Sequence, residues 1–178
     1  MAVGLVAGCT GQSSIKPAEV LDERTGMTVG ALHQPLELVQ SGERSGAAGG
    51  RRMSFAYVGP VEWDNMGNLT YGLWVHLAPG ADWRFDDIRT PGAVTLLLDD
   101  GTTVLSVIEA PKLGHAPYQP VASWGQTAYF GVSVPLLKQM AASRALELEV
   151  RAATGSVHFA ADAEAHDSLT RYLHARGY

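Results

Sequence analysis

The chain has 178 residues, with 13 Lys and Arg against 18 Asp and Glu for a net charge of −5, one cysteine and 20 glycines. That length fits a single β-rich domain over residues 20–178 behind a short leader and tether, residues 1–19. Lone Cys9 excludes an intramolecular disulfide, scattered charges exclude the basic face that nucleic acid requires, and no run of about eighteen apolar residues follows Cys9 to form a membrane-crossing helix.

Near the N-terminus, Val6-Ala7-Gly8-Cys9 places an apolar residue and two small ones before the cysteine. This run resembles the lipobox of a bacterial, proteobacterial-type envelope lipoprotein. The resemblance implies a Cys9 thiol alkylated by lipid, and Thr10-Gly11-Gln12-Ser13-Ser14 has the composition of a flexible tether. Eight residues without Lys or Arg precede Cys9, so the basic and apolar parts of a signal are expected upstream of Met1. Thr10 stands where an Asp would resemble an inner-membrane retention signal, which implies an outer-membrane lipoprotein facing the periplasm.

Further along, Met27 to Leu32 and Leu36 to Val39 are short strand candidates split by His33-Gln34-Pro35, and Ser41 to Gly50 reads as a loop rich in Gly and Ala. From Met53 to Trp63 the odd positions are mostly large and apolar, with Ser54, Glu62 and Asp64 on the other parity, which predicts a half-buried strand. Leu69 to Leu77 repeats the pattern after the turn signal Asp64-Asn65-Met66-Gly67-Asn68. The pair predicts a hairpin with a loop of about four to five residues.

Ala93 to Leu98 and Thr103 to Ile108 predict a second hairpin around Asp99-Asp100-Gly101-Thr102. A strand at Thr127 to Val134 leads into a short helix near 135–142, with Ser133 and Pro135 as its start signals. Leu146 to Ala152 alternates as a strand, and Thr154-Gly155 turns the chain into Val157-His158-Phe159. A closing helix is predicted over Ala163 to Ala175, capped by Asp162, with Ala165, Leu169, Tyr172 and Leu173 forming one apolar stripe. The expected fold is mainly β: an antiparallel β-sandwich or strongly curved sheet of about seven to nine strands, with a short helix and a C-terminal helix.

Residue patterns for chemistry are sparse. The six histidines form no metal-spaced motif, and His166 and His174 lie about 12 Å apart along their helix. Asp99-Asp100 is explained by its turn, Asp86-Asp87 has no partner ligands in sequence, and neither a Gly-x-Ser-x-Gly elbow nor a phosphate loop occurs. No catalytic residue, no metal and no cofactor are therefore expected. Trp63, Trp83 and Trp124, which fall near loops, are candidate binding residues on an exposed aromatic platform, whereas Trp74 is expected inside a strand covered on both faces.

One resemblance reaches the body. Val58-Gly59-Pro60-Val61-Glu62, Met66-Gly67 and Tyr71-Gly72-Leu73-Trp74 are similar to a segment of uncharacterised proteobacterial envelope lipoproteins, which implies no catalytic residues. The expected function is that of a lipid-anchored cell-envelope protein, held to the membrane at Cys9, that binds another envelope protein and no nucleic acid. Its rivals are a small-ligand or glycan-binding module using the exposed tryptophans, and a hydrolase of unrecognised type.

Overall fold

The computed structural model describes residues 17–41, 54–80 and 84–178. Eleven strands and two helices follow in the order β1 (Pro17–Asp22), β2 (Met27–Leu32), β3 (Leu36–Gln40), β4 (Phe55–Asn65), β5 (Asn68–Ala78), β6 (Val94–Leu98), β7 (Gly101–Val104), β8 (Ser106–Ile108), β9 (Gln126–Gly131), α1 (Val134–Ala142), β10 (Glu147–Ala152), β11 (Gly155–Ala161) and α2 (Ala163–Ala175). The strands form one antiparallel sheet in the order β7-β6-β10-β11-β3-β4-β5-β9-β8, with β2 also on β4 and β1 on β2. The sheet is nearly closed into a barrel-like shape.

Closure depends on one residue. β7 and β8 lie at opposite ends of the strand order, yet only Leu105 separates them in the chain. Its N–H donates to the Val94 carbonyl at 3.0 Å, and its side chain is buried in the core. The expected single strand Thr103 to Ile108 is thus two, because the chain crosses there from one sheet edge to the other. That crossing also replaces the two stacked sheets of a sandwich by one curved sheet.

β2 and β3 pair successively with the same edge of long β4, Ala31 opposite Val61 and Leu36 opposite Val58, with His33-Gln34-Pro35 as the break. Beyond it β1 continues the sheet from β2 and β11 continues it from β3. α2 packs against all four strands in this fork. β1 includes Pro17, Ala18 and Glu19, which the sequence pattern places in the tether; its Glu19, Val20 and Leu21 are exposed, so no apolar alternation marks it.

Strands β4 and β5 are covered on both faces, which overturns the half-buried reading of β4. Ser54 and Glu62, expected outward, are buried. Ser54 Oγ accepts the Gly80 N–H at 2.9 Å. Glu62 pairs with the Arg176 guanidinium, which also meets Glu19, and accepts the Tyr178 hydroxyl. The same guanidinium rests on Gly30, where a Cβ would stand 2.8 Å from Cζ. Burying a carboxylate is costly unless it is paired and hydrogen-bonded, and the residues after α2 supply those partners.

The β4–β5 turn is tighter than expected, with two residues in place of four or five. Asn65 pairs with Asn68, while Met66 and Gly67 take φ of 53° and 90°. Two successive left-handed residues make the turn that matches strand twist. Both helices start where expected, with Ser133 accepting the Leu136 N–H and Asp162 accepting the Ala165 N–H at 2.9 Å. The stripe Ala165, Leu169, Tyr172 and Leu173 is buried, as is Ser168.

Candidate functional site: a strapped apolar cleft

Between β8 and β9 the chain runs from 109 to 125 without helix or strand. This strap crosses the face of the sheet that carries Val29, Ala31, Gly59, Val61, Trp63, Trp74 and His76, and three side chains tie it down. Such ties matter because loop backbone outside regular structure must find its hydrogen bonds elsewhere.

Tyr118 is the central tie. Its hydroxyl donates to the Pro60 carbonyl at 2.9 Å and accepts the Leu32 N–H at 2.9 Å. The ring lies over Gly59 and against Trp74, at a centroid distance of 5.2 Å. Burial pushes its phenol well above the ordinary range, so it stays a neutral donor.

Asp22, at the end of β1, is the second tie. Its Oδ2 accepts the Gly114 N–H at 2.6 Å and the His115 N–H at 3.4 Å, while Oδ1 accepts both the N–H and the hydroxyl of Thr25. Burial pulls this carboxyl upward, but the hydrogen bonds from Thr25, Gly114 and His115 outweigh it and hold it below the usual carboxylate range.

The third tie is His76, in the middle of β5 and 0% exposed. Its Nε2 accepts the Ala122 N–H at 3.2 Å, so the proton sits on Nδ1, which donates to Thr127 Oγ1 at 2.8 Å. The ring stacks on Trp74 at 5.7 Å. Burial lowers its pKa below the ordinary histidine value, against a smaller upward effect of the Gln126 backbone.

Beneath the strap lies a cleft of about 750 Å³. Ala18, Val20, Val29 and Ala31 form its floor, with Ala18 opposite Ala31 and Val20 opposite Val29 in the β1–β2 register. Gly114 and Ala116 contribute to its roof, and the exposed His33 and His115 lie at its rim. The lining is predominantly apolar, with Asp22, Glu23 and Arg24 as its charged members. Among the described residues its lining includes no Ser, Thr or Cys, and the Asp22 carboxylate is already committed to four donors. The cleft is suited to excluding water from an apolar group; it shows no nucleophile beside a base.

Among the described residues the tryptophans form no shared platform. Trp63 is 2% exposed, packed against Tyr129 at 5.6 Å and over Gly72, whose missing Cβ leaves the indole its space. It is core, and its assignment as a binding residue is corrected. Trp124 is 70% exposed on the strap, and Trp74 is buried as expected. Trp83 and the lipidation candidate Cys9 lie outside the described residues.

Other sequence candidates have structural roles. Asp99 caps the start of the 144–145 segment, accepting the N–H groups of Arg144 and Ala145. His158 lies 3.5 Å from Glu147. Among the described residues no group of three or more His, Cys, Asp or Glu is placed to hold a metal ion, and no helix is long and apolar enough to cross a membrane.

Sequence reasoning missed Asp22, His76 and Tyr118 as a set. One local signal was available: Gly59 in the middle of a strand often marks a close approach by another group. The fold and site together define a barrel-like β protein with a strapped apolar cleft. Comparison with protein-family models, curated proteins and solved structures finds no match.

Proposed function

We propose that this is a lipid-anchored cell-envelope protein whose body acts by binding, with the strapped cleft as its binding site for an apolar ligand. The cleft carries this reading. Its volume falls within the roughly 300–1,000 Å³ of small-molecule sites, and the strap that supplies its roof is held by three separate ties. A site already ordered before binding loses less entropy when it fills. The anchor rests on the lipobox-like Val6-Ala7-Gly8-Cys9 and the polar residues after it.

A protein partner is the second reading, favoured by β1. Among the described residues this strand pairs only with β2, and its Val20 and Leu21 are each 61% exposed. A bare strand edge with apolar side chains is a template for an added strand, the mode by which another envelope protein would dock.

Titration with an environment-sensitive apolar dye tests the first reading, using Val20→Asp to place a carboxylate in the floor from an exposed position. Saturable binding lost in the variant, with an unchanged melting temperature, is the expected result. Absence of dye binding together with a photo-crosslinker at Leu21 trapping a protein in cells would favour the second. For the anchor, cells expressing the gene with its upstream codons should incorporate a fatty-acid analogue into the wild type and not into Cys9→Ser.

A further inference from the structure

We infer that His76 is an acid-sensitive latch on the strap: protonation of its ring releases the 119–125 segment and weakens ligand binding in the cleft. The inference rests on reading the cleft as a binding site, and it concerns how that site is regulated.

The hydrogen-bond pattern carries the argument. Nε2 is an acceptor for the Ala122 N–H, and Nδ1–H is a donor to Thr127 Oγ1. An imidazolium is a donor at both nitrogens. Protonating Nε2 therefore sets two N–H groups against each other and removes the tie, while Nδ1 keeps its partner. A buried donor left facing another donor loses its bond and retains its desolvation cost.

No carboxylate hydrogen-bonds the ring, and the backbone of Gln126 offsets the new charge only in part, since burial outweighs it. From β4 the ring meets Tyr57, at 6.1 Å, whose hydroxyl is engaged by Glu37. From β5 it meets Trp74; from β9 it meets Thr127, whose carbonyl is held by Arg89 at 3.1 Å, and the Gln126 backbone. From the strap it meets Ala122 and Gly125, where a Cβ would stand 2.4 Å from Cε1. Glu37 and Arg89 are the charged groups on these neighbours, and neither hydrogen-bonds the ring. The way to solvate an imidazolium there is to admit water by moving the strap.

The strap is the element able to move. Residues 119–125 lie outside helix and strand, and Val121 and Trp124 are exposed. Segments with few buried contacts open locally at lower cost than the sheet beneath them. Trp74 couples the two parts of the strap, since its ring touches both His76 and Tyr118. Loss of the His76 tie thus loosens the packing under Tyr118, next to the cleft roof at Gly114 to Pro117. A histidine that shifts a two-state element in this way responds as pH falls below about 6.5, the ordinary value of the released ring, toward its lowered value in the latched strap.

Hydrogen exchange of the full chain provides the test, with intrinsic exchange corrected for pH and dye affinity measured in parallel. Between about pH 7.5 and about pH 5.5, opening of peptides covering 119–125 should rise several-fold, up to about tenfold, while dye affinity falls. His76→Gln keeps an acceptor and cannot be protonated, so its strap should show no such rise. Equal pH dependence in wild type and variant, or none in the wild type, overturns the latch. Should the variant fail to fold, an NMR titration of the wild-type His76 ring decides: protonation at or above the ordinary value of about 6.5 overturns the latch, and a clearly lower midpoint supports it. A strap that opens with acid while the dye never binds leaves the latch standing and removes the ligand reading.

Discussion

The ring of Tyr118 sits on the backbone of Gly59, where a Cβ would stand 2.3 Å from Cε2. A glycine at the centre of the longest hairpin is thereby the seat of the strap. Its lack of a side chain brings a tyrosine close enough for the hydroxyl to bond Pro60 and Leu32. Gly59→Ala should displace the ring and cost about 1–3 kcal/mol, as overpacking in a core does. Tyr118→Phe should keep the ring and orphan two buried backbone groups, at about 1–3 kcal/mol. Urea midpoints check both; a neutral Gly59→Ala would mean that the ring does not need this seat.

Asp22 should make stability depend on acid. Its carboxyl is held below the ordinary value of 3.8, so the unfolded chain binds more protons than the native one in that range. The contribution is fully present above about pH 4 and is lost as pH falls through the depressed native value. Asp22→Asn should be less stable at neutral pH and show a flatter acid limb. An unchanged limb in denaturation at matched ionic strength would remove Asp22 as the cause.

Leu169 of α2 is fully buried in the fork between β1–β2 and β3–β11. Leu169→Ala should cost about 2–5 kcal/mol, the transfer term plus the cavity left behind. A midpoint equal to that of the wild type would place the helix stripe outside the cooperative core.

Met66 is 94% exposed and holds a φ of 53° at the first position of its turn. A side chain other than Gly, Asn or Asp resists that conformation by roughly 1 kcal/mol. Met66→Asn should therefore stabilise the protein by up to about 1 kcal/mol, giving the Asn-Gly pair such turns favour. Thermal melting that shifts downward would count against strain at this position.

Several elements were legible in the sequence because their causes are local. Asp162 caps α2 and Ser133 caps α1 through bonds three residues away, and the stripe from Ala165 to Leu173 follows helical spacing. The hairpins follow from Gly-containing turns flanked by β-branched and apolar runs. The same local reasoning failed where a neighbour distant in sequence decides burial. Alternation marked Glu62 as solvent-facing, but Arg176 and Tyr178 cover it from 114 and 116 residues away. Trp63 resembled a surface aromatic until Gly72 and Tyr129 gave it a core position.

What the sequence by itself determined is most of the elements, with β1 and the break at Leu105 as exceptions, since periodicity, caps and turn residues act over a few positions of the chain. Only the tertiary structure decided that Leu105 joins the two edges of the sheet, that β1 ends on a carboxylate claimed by Gly114, and that His76 accepts from Ala122. Those last two bonds span 92 and 46 residues. A backbone N–H is the same donor at every position, so its partner is set by where the curved sheet brings the chain back, and no residue pattern along the strap encodes that choice.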